Sequence, residues 1–196
     1  MFANRFTAFM DACTLASVLK RNLLLTLAEA EFFRIRWSDK VMDETEAAIA
    51  KMQAAKGHAD SQERASKARL AMETAFQEAR VFDFDQFLPC LESLPDSNDA
   101  HVVAAALKTQ ASMIVTENLR HFPSNILSPL NIEAKSADVF IADTIALDLG
   151  RAVAAVGRMR SRFKNPVKTA QNLLLDMEAA GLTETVDILR PHAESL

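Results

Sequence analysis

The sequence predicts an α/β protein with a mainly parallel sheet, followed by a region made entirely of helices. Three observations support this fold class. Short apolar runs, typical of buried strands, alternate with longer segments of helical spacing up to residue 135. Only 4 glycines and 6 prolines occur in 196 residues, so turn formers are few and helix formers many. From Ser136 onward the pattern becomes helical throughout, and we expect residues 1–135 and 136–196 to form separate regions.

The first strand is predicted at residues 5–10, a nearly continuous apolar run that suits a central strand buried on both faces. One helix or two short helices follow over residues 14–29, where leucine and valine recur at helical spacing. Ser38 is a suitable N-cap for the next helix, which we expect over about residues 39–56. The segment 57–61 is the expected break after it.

The remaining elements continue the alternation. A mostly polar helix is predicted at 62–79, a short strand at 80–82 and a helix at 85–94. Asp96 is the predicted N-cap of the next helix, and the small residues that follow suit close packing on a sheet. Strands are then expected at 112–116 and 130–133, which completes the strand–helix alternation.

Composition limits the class of protein. No apolar stretch reaches the roughly 20 residues of a membrane span, and the first residues lack a signal-peptide pattern. Cys13 and Cys90 form neither a disulfide framework nor a metal spacing. The net charge of −4 argues against nonspecific binding of nucleic acid. The same charge is compatible with a nucleic-acid enzyme whose acidic site holds cations. We therefore expect a cytoplasmic protein without a membrane partner.

Four polar side chains occupy positions where a parallel sheet forms its ligand crevice. Asp11 and Asn118 follow predicted strands, Asp99 begins a helix, and Glu44 lies near the start of another helix. Three carboxylates and an amide oxygen favour a hard cation such as Mg²⁺ or Mn²⁺. Each residue also has a purely structural interpretation. Asp11 is a possible helix N-cap, and Asp99 is placed to interact favourably with a helix dipole. Glu44 fits a solvent-exposed helix face, and Asn118 fits an ordinary loop.

Four motifs occur in a characteristic order along the chain: 11–15, 41–44, 96–106 and 114–123. This order resembles the PIN-domain family, in the branch of VapC-like toxins whose last motif reads Thr-x-Asn-x-x-Asp-Phe-Pro. The resemblance covers about residues 5–135, and residues 160–166 are similar to part of the helical extension of that branch. It implies a three-layer α/β/α PIN-like fold with an α-helical C-terminal extension.

The resemblance also implies a function, which is metal-dependent hydrolysis of RNA by the toxin of a toxin–antitoxin pair. Asp11, Glu44 and Asp99 would hold Mg²⁺ or Mn²⁺, and Asn118 would complete the catalytic set. Expected products carry a 5′-phosphate and a 3′-hydroxyl, and the expected partners are RNA, a cognate antitoxin and a second copy of the chain. The candidate substrate-binding residues are Thr14, Arg21, Thr116 and His101.

Two positions depart from the family pattern. Asn118 stands where many PIN domains have aspartate, and His121 stands where an acidic residue commonly precedes Phe-Pro. Both departures remove negative charge, and Glu117 is a neighbouring acid able to compensate. Two interpretations therefore stay open, an active endoribonuclease and a catalytically weak PIN fold that binds RNA or protein. A dehalogenase-like phosphatase is disfavoured, because Cys13 stands where that chemistry needs a second carboxylate.

Basic residues suited to guiding RNA occur in three groups along the chain. Lys20 and Arg21 form the first group. The second combines Arg34 and Arg36 with Trp37, whose ring is a candidate stacking surface. The third lies in the C-terminal region and comprises Arg158, Arg160, Arg162, Lys164 and Lys168. For at least half of these residues a solvated surface is the simpler interpretation.

Overall fold

The computed structural model describes residues 6–91, 93–164 and 166–196. Arg5 of the predicted first strand and Asn165 of the 160–166 segment lie outside the described residues. The chain divides into two compact units. The first contains the chain up to Ser17 together with Arg34–Lys135, and the second contains Val18–Phe33 together with Ser136–Leu196.

The described residues form α-helices and strands that we number in chain order. The helices are α1 (Ala12–Ala16), α2 (Val18–Glu29), α3 (Asp39–Ala55), α4 (Ser61–Ala75), α5 (Ala100–Lys108), α6 (Ser124–Leu127), α7 (Ala137–Leu147), α8 (Leu149–Ser161), α9 (Ala170–Ala179) and α10 (Thr183–Leu189). The strands are β1 (Thr7–Met10), β2 (Arg34–Ser38), β3 (Arg80–Val81), β4 (Met113–Val115) and β5 (Glu133–Lys135). No helix in the described ranges combines the length and the apolar character of a membrane span.

A five-stranded sheet in the order β3-β2-β1-β4-β5 forms the centre of the first unit. Every pairing is parallel, with Phe9 of β1 opposite Arg36 on one side and Ile114 on the other. Ala8, Phe9 and Met10 are each 0% exposed, as expected for a central strand covered on both faces. The parallel sheet, followed by a helical C-terminal region, confirms the predicted PIN-like α/β fold.

Local sequence signals explain the helices around this sheet. The Ser38 hydroxyl accepts a 3.3 Å hydrogen bond from the backbone N–H of Val41, which confirms the predicted cap of α3. Gly57 follows the C-cap of α3 and adopts φ +82°, a left-handed conformation that is strained for residues with a side chain. Residues 102–106 of α5 are all 0% exposed and small, so this helix packs closely against the sheet.

Strand β2 has no counterpart among the strands predicted from sequence. Its two arginines obscure an alternation in which Ile35 and Trp37 are buried while Arg34 is exposed. Trp37 is only 1% exposed and packs edge-on against Phe76, so the predicted RNA-stacking surface at Trp37 is wrong.

Two other segments differ in position or type. Strand β5 begins at Glu133, later than predicted, because Asn131 adopts a left-handed turn at φ 57° just before it. The helix predicted over 85–94 is instead a 3₁₀ helix over Asp85–Leu91, since Pro89 inside it cannot donate an α-helical hydrogen bond.

The second unit is helical in its described residues. It combines α2 with α7, α8, α9 and α10, and α2 packs against α7 and α8. Phe33 and Phe140 meet edge to face at 4.9 Å, which supplies part of its core. The Asp138 carboxylate accepts hydrogen bonds from the backbone N–H groups of Glu184 and Thr185, both at 2.9 Å. This buried aspartate therefore joins α7 to the start of α10.

Candidate functional site

Asp11 marks the point where the strand order of the sheet reverses. It follows β1, whose neighbours β2 and β4 lie on opposite sides, and its backbone N–H donates a 3.0 Å hydrogen bond to Val115 O of β4. Ligands bind at such points in parallel sheets, outside the carboxyl ends of the strands. The residue is 5% exposed, so its carboxylate is largely screened from water.

Hydrogen bonds fix both oxygens of this carboxylate. Oδ1 accepts from the backbone N–H of Ala12 at 2.6 Å, which makes Asp11 the N-cap of α1. Oδ2 accepts from the Thr116 hydroxyl at 2.6 Å and from the Cys13 thiol at 3.0 Å. Asp11 is therefore both a helix N-cap and a residue at the carboxyl end of the central strand. These hydrogen bonds hold the buried carboxylate in one orientation.

Cys13 is a hydrogen-bond donor in this site. Burial and the negative charge of Asp11 raise the pKa of Cys13 to about 11. The backbone N–H of Glu117 also donates to its sulfur at 3.2 Å. A thiol with this pKa stays protonated at neutral pH, which makes it a poor nucleophile.

Glu44 and His101 meet beside Asp11. The His101 Nε2 atom lies 3.3 Å from Glu44 Oε1. Burial raises the pKa of Glu44, and the charges of Asp11 and Asp99 raise it further against the opposing effect of Lys40. Burial and then Lys40 lower the pKa of His101 to about 4. His101 is therefore a neutral imidazole at pH 7, and its buried Nδ1 has no hydrogen-bond partner within the described ranges.

The two acidic neighbours of Glu44 on α3 have other partners. Asp43 and Glu46 lie 2.6 Å and 3.1 Å from the same guanidinium nitrogen of Arg69. Arg69 is on α4, so these two acids hold α3 to α4. All three acids lie within one turn of the same helix, so their spacing in the sequence does not distinguish Glu44 from Asp43 and Glu46. The charges of Asp11 and Asp99 act on Glu44, whereas the side chains of Asp43 and Glu46 contact Arg69.

Asp99 lies at the start of α5 and faces His121. Its Oδ2 atom is 2.7 Å from His121 Nδ1, and Asp96 Oδ2 is 3.7 Å from the same nitrogen. The other oxygen of Asp96 accepts a 2.9 Å hydrogen bond from the backbone N–H of Asn98. Potential ligand atoms of Asp96, Asp99 and His121 all lie within 4.8 Å of one another. We call these three residues the Asp–Asp–His cluster.

The remaining predicted site residues lie in three different settings. Thr14 and Thr116 are fully buried at the strand ends, and the Thr14 hydroxyl donates to Val115 O at 3.1 Å. Asn118 is exposed, and its backbone N–H donates to the Thr116 hydroxyl at 3.0 Å. Arg21 belongs to α2 in the second unit, where burial lowers its pKa.

Comparison with known families decides the classification. The sequence model described as "PIN domain" matches residues 7–120, which is more than half of the chain. The chain belongs to the PIN-domain family. A second model, described as "VapC50 C-terminal domain", matches residues 137–191.

One curated relative shows how far the similarity extends. The protein named "Putative ribonuclease VapC50" of Mycobacterium tuberculosis (strain ATCC 25618 / H37Rv) is 38% identical over 76 residues. The alignment covers 39% of this chain and 45% of the relative, so it spans less than half the length of either protein. No solved structure matches the chain.

Within the PIN domain, Lys40 is a site neighbour that the sequence did not single out. Its ammonium group donates to Asn98 O at 3.5 Å, and its positive charge acts on both Glu44 and His101. A signal was available, because Lys40 lies one helical turn before Glu44 on α3. The PIN-domain match ends at Arg120, so His121 lies just beyond it.

Proposed function

We propose that the chain is a metal-dependent endoribonuclease that hydrolyses RNA phosphodiester bonds, and that it is the toxin of a VapBC-like toxin–antitoxin pair. The observation that carries this proposal is the position of Asp11 at the carboxyl end of β1, where the strand order of the parallel sheet reverses. The negative charges of Asp11 and Asp99 also raise the pKa of Glu44, which burial raises most. Two carboxylates, one directly after β1 and one directly before α5, therefore act on the Glu44 carboxylate of α3. Membership of the PIN-domain family and the name of the curated relative support RNA as the substrate class.

The donor set suits a small divalent cation. Carboxylate oxygens are the ligands that Mg²⁺ and Mn²⁺ prefer, and a positive ion offsets the repulsion between neighbouring carboxylates. We propose Asp11, Glu44 and Asp99 as the residues that hold it. A bound cation of this kind makes water a stronger acid and neutralises the charge that develops on the attacked phosphate.

The surrounding side chains have positioning roles in this proposal. Thr116 and the Ala12 N–H hold the Asp11 carboxylate in one orientation. Neutral His101 directs Nε2 towards Glu44 without adding a competing positive charge. The hydroxyls of Thr14 and Thr116 already have partners, so we assign them to support of the site, while exposed Asn118 is free to approach the phosphate.

The proposed partners follow from the family. A small antitoxin would cover the acidic edge of the sheet, and an arginine from it would pair with the carboxylates in place of a cation. Assembly as a homodimer and residence in the cytoplasm belong to the same proposal.

Cleavage of a mixed pool of structured RNAs in Mg²⁺ or Mn²⁺ tests the function. We expect cleavage by the wild type, 5′-phosphate and 3′-hydroxyl ends, and loss of activity in Asp99→Asn. Asp187→Asn, an exposed change on α10, is the matched control and should cleave normally. Absence of cleavage by the folded wild type would overturn the proposal and favour a PIN fold that only binds RNA or protein, with Asn118 and His121 as the cause.

A further inference from the structure

The Asp–Asp–His cluster combines two kinds of metal ligand at one place. Asp99 Oδ2 and Asp96 Oδ2 lie 2.7 Å and 3.7 Å from His121 Nδ1. Two atoms that bind one ion at about 2.1 Å are themselves separated by roughly 3 to 3.5 Å. The three side chains therefore need only small movements to bind a common ion.

Among the described residues, the Oδ2 atoms of Asp96 and Asp99 face His121, and the hydrogen bonds to groups outside the cluster do not use them. Asp96 uses Oδ1 for the Asn98 N–H, which leaves Oδ2 on the side of His121. Asp99 makes no side-chain capping bond to α5 within the described part of the chain, although it stands at the N-cap position. The contact that holds its Oδ2 atom is the one with His121.

The imidazole is held with Nδ1 towards the carboxylates. Its other nitrogen, Nε2, accepts a 3.2 Å hydrogen bond from the exposed side chain of Arg120. Binding of an ion at Nδ1 places the ring proton on Nε2, so the Arg120 contact is exchanged for one with solvent. This exchange costs little free energy, because the Arg120 side chain is exposed to solvent.

We propose that the Asp–Asp–His cluster is a mixed nitrogen–oxygen site that selects a transition-metal ion, such as Co²⁺ or Zn²⁺, over Mg²⁺. Imidazole is a favourable ligand for these ions, whereas Mg²⁺ prefers oxygen ligands and gives up its water reluctantly. The inference rests on the proposed function in one respect, since Asp99 belongs both to the proposed cation-binding carboxylates and to the Asp–Asp–His cluster. It assigns an ion preference that an acidic residue at position 121 would not produce.

Affinities for Co²⁺ and for Mg²⁺, measured by calorimetry on the full chain, test this inference. The informative variant is His121→Asp, which keeps a ligand but replaces nitrogen with oxygen. We expect it to weaken Co²⁺ binding by about tenfold or more while Mg²⁺ affinity stays equal or rises. His58→Ala removes another histidine in the first unit and should behave as the wild type. Thermal unfolding of each variant verifies that it is folded.

A direct ligand readout complements the affinities. In ¹⁵N-histidine-labelled protein, Zn²⁺ should shift the Nδ1 resonance of His121, a signal identified by its loss in His121→Asp. An unchanged ratio of Co²⁺ to Mg²⁺ affinity in His121→Asp would overturn the inference, as would a His121 resonance that ignores Zn²⁺. RNA cleavage measured on the same samples separates the two proposals: absent cleavage rejects the proposed function, whereas an unchanged ratio rejects the ion preference.

Discussion

The Thr116 hydroxyl donates a 2.6 Å hydrogen bond to Asp11 Oδ2, although the two residues are 105 positions apart in the sequence. Thr116 is 0% exposed and follows β4, while Asp11 follows the neighbouring strand β1. The same hydroxyl accepts the backbone N–H of Asn118 at 3.0 Å. This one side chain therefore orients a buried carboxylate and fixes the loop that carries another candidate site residue.

Replacing Thr116 with valine removes the hydroxyl and keeps the shape. We expect the free energy of unfolding to fall by about 1–3 kcal/mol, because the buried carboxylate loses a strong donor. Cation affinity should fall about 10–100-fold, since Asp11 is no longer held in place. Urea unfolding and Mg²⁺ calorimetry measure these two effects. Thr116→Ser retains the hydroxyl and should stay near wild type, and a similar loss in both variants would contradict the assigned hydrogen bond.

Glu44 and Glu46 provide a matched pair on α3. Glu44→Gln should reduce Mg²⁺ affinity at least about tenfold with little loss of stability, because its carboxylate lies among the acidic residues of the site. Glu46→Gln should leave Mg²⁺ affinity unchanged and lower stability by about 1 kcal/mol, since it weakens the contact with Arg69. Calorimetry and urea unfolding of the two variants separate the roles. The reverse pattern would show that the site uses Glu46.

Asp138 predicts a pH dependence in the second unit. Burial alone would raise the pKa of Asp138, but hydrogen bonds from Thr185, Glu184 and Thr183 lower it below the ordinary value. Because the pKa is lower in the folded state, Asp138 contributes stability above its unfolded pKa of about 4 and loses it as pH falls through the folded pKa. Asp138→Asn should therefore unfold at lower urea than wild type at pH 7, with a smaller difference at pH 3. A difference that is the same at both pH values would contradict this linkage.

Arg160 and Arg158 should differ although both belong to the predicted basic group. Arg160 donates hydrogen bonds to Leu196 O at 2.9 Å and to Lys168 O at 2.8 Å, whereas Arg158 is exposed. Arg160→Met should lower the free energy of unfolding by about 1–3 kcal/mol, and Arg158→Met should change it by less than about 0.5 kcal/mol. Urea unfolding measures both. Equal stability of the two variants would contradict a structural role for Arg160.

The sequence predicts features that depend on local pattern or chain order. It places Asp11 at the end of a central buried strand and Ser38 at the cap of α3, and the structure confirms both. It does not reveal β2, because a five-residue strand containing Arg34 and Arg36 lacks a hydrophobic run. For the same reason the burial of Trp37 could not be anticipated.

The features of the site that the sequence did not predict depend on contacts between residues far apart in the chain. The Thr116–Asp11 hydrogen bond and the approach of Asp96 to His121 depend on how β4 and α5 are placed in the fold. The pairing of Asp43 and Glu46 with Arg69 likewise depends on how α4 packs against α3. Such contacts decide which acid of a charged helix faces the site, and no spacing rule within one helix contains that information.

Thermal unfolding of the wild type and of Asp11→Asn at increasing Mg²⁺ concentration tests whether a cation binds at Asp11. Mg²⁺ is the appropriate ion, because the Asp–Asp–His cluster is proposed to disfavour it. Asparagine is a good N-cap, so the variant should keep α1 while it loses one of the three carboxylates. We expect the melting temperature of the wild type to rise with Mg²⁺ and this rise to disappear in Asp11→Asn. An equal rise in both proteins would contradict a cation site built on Asp11.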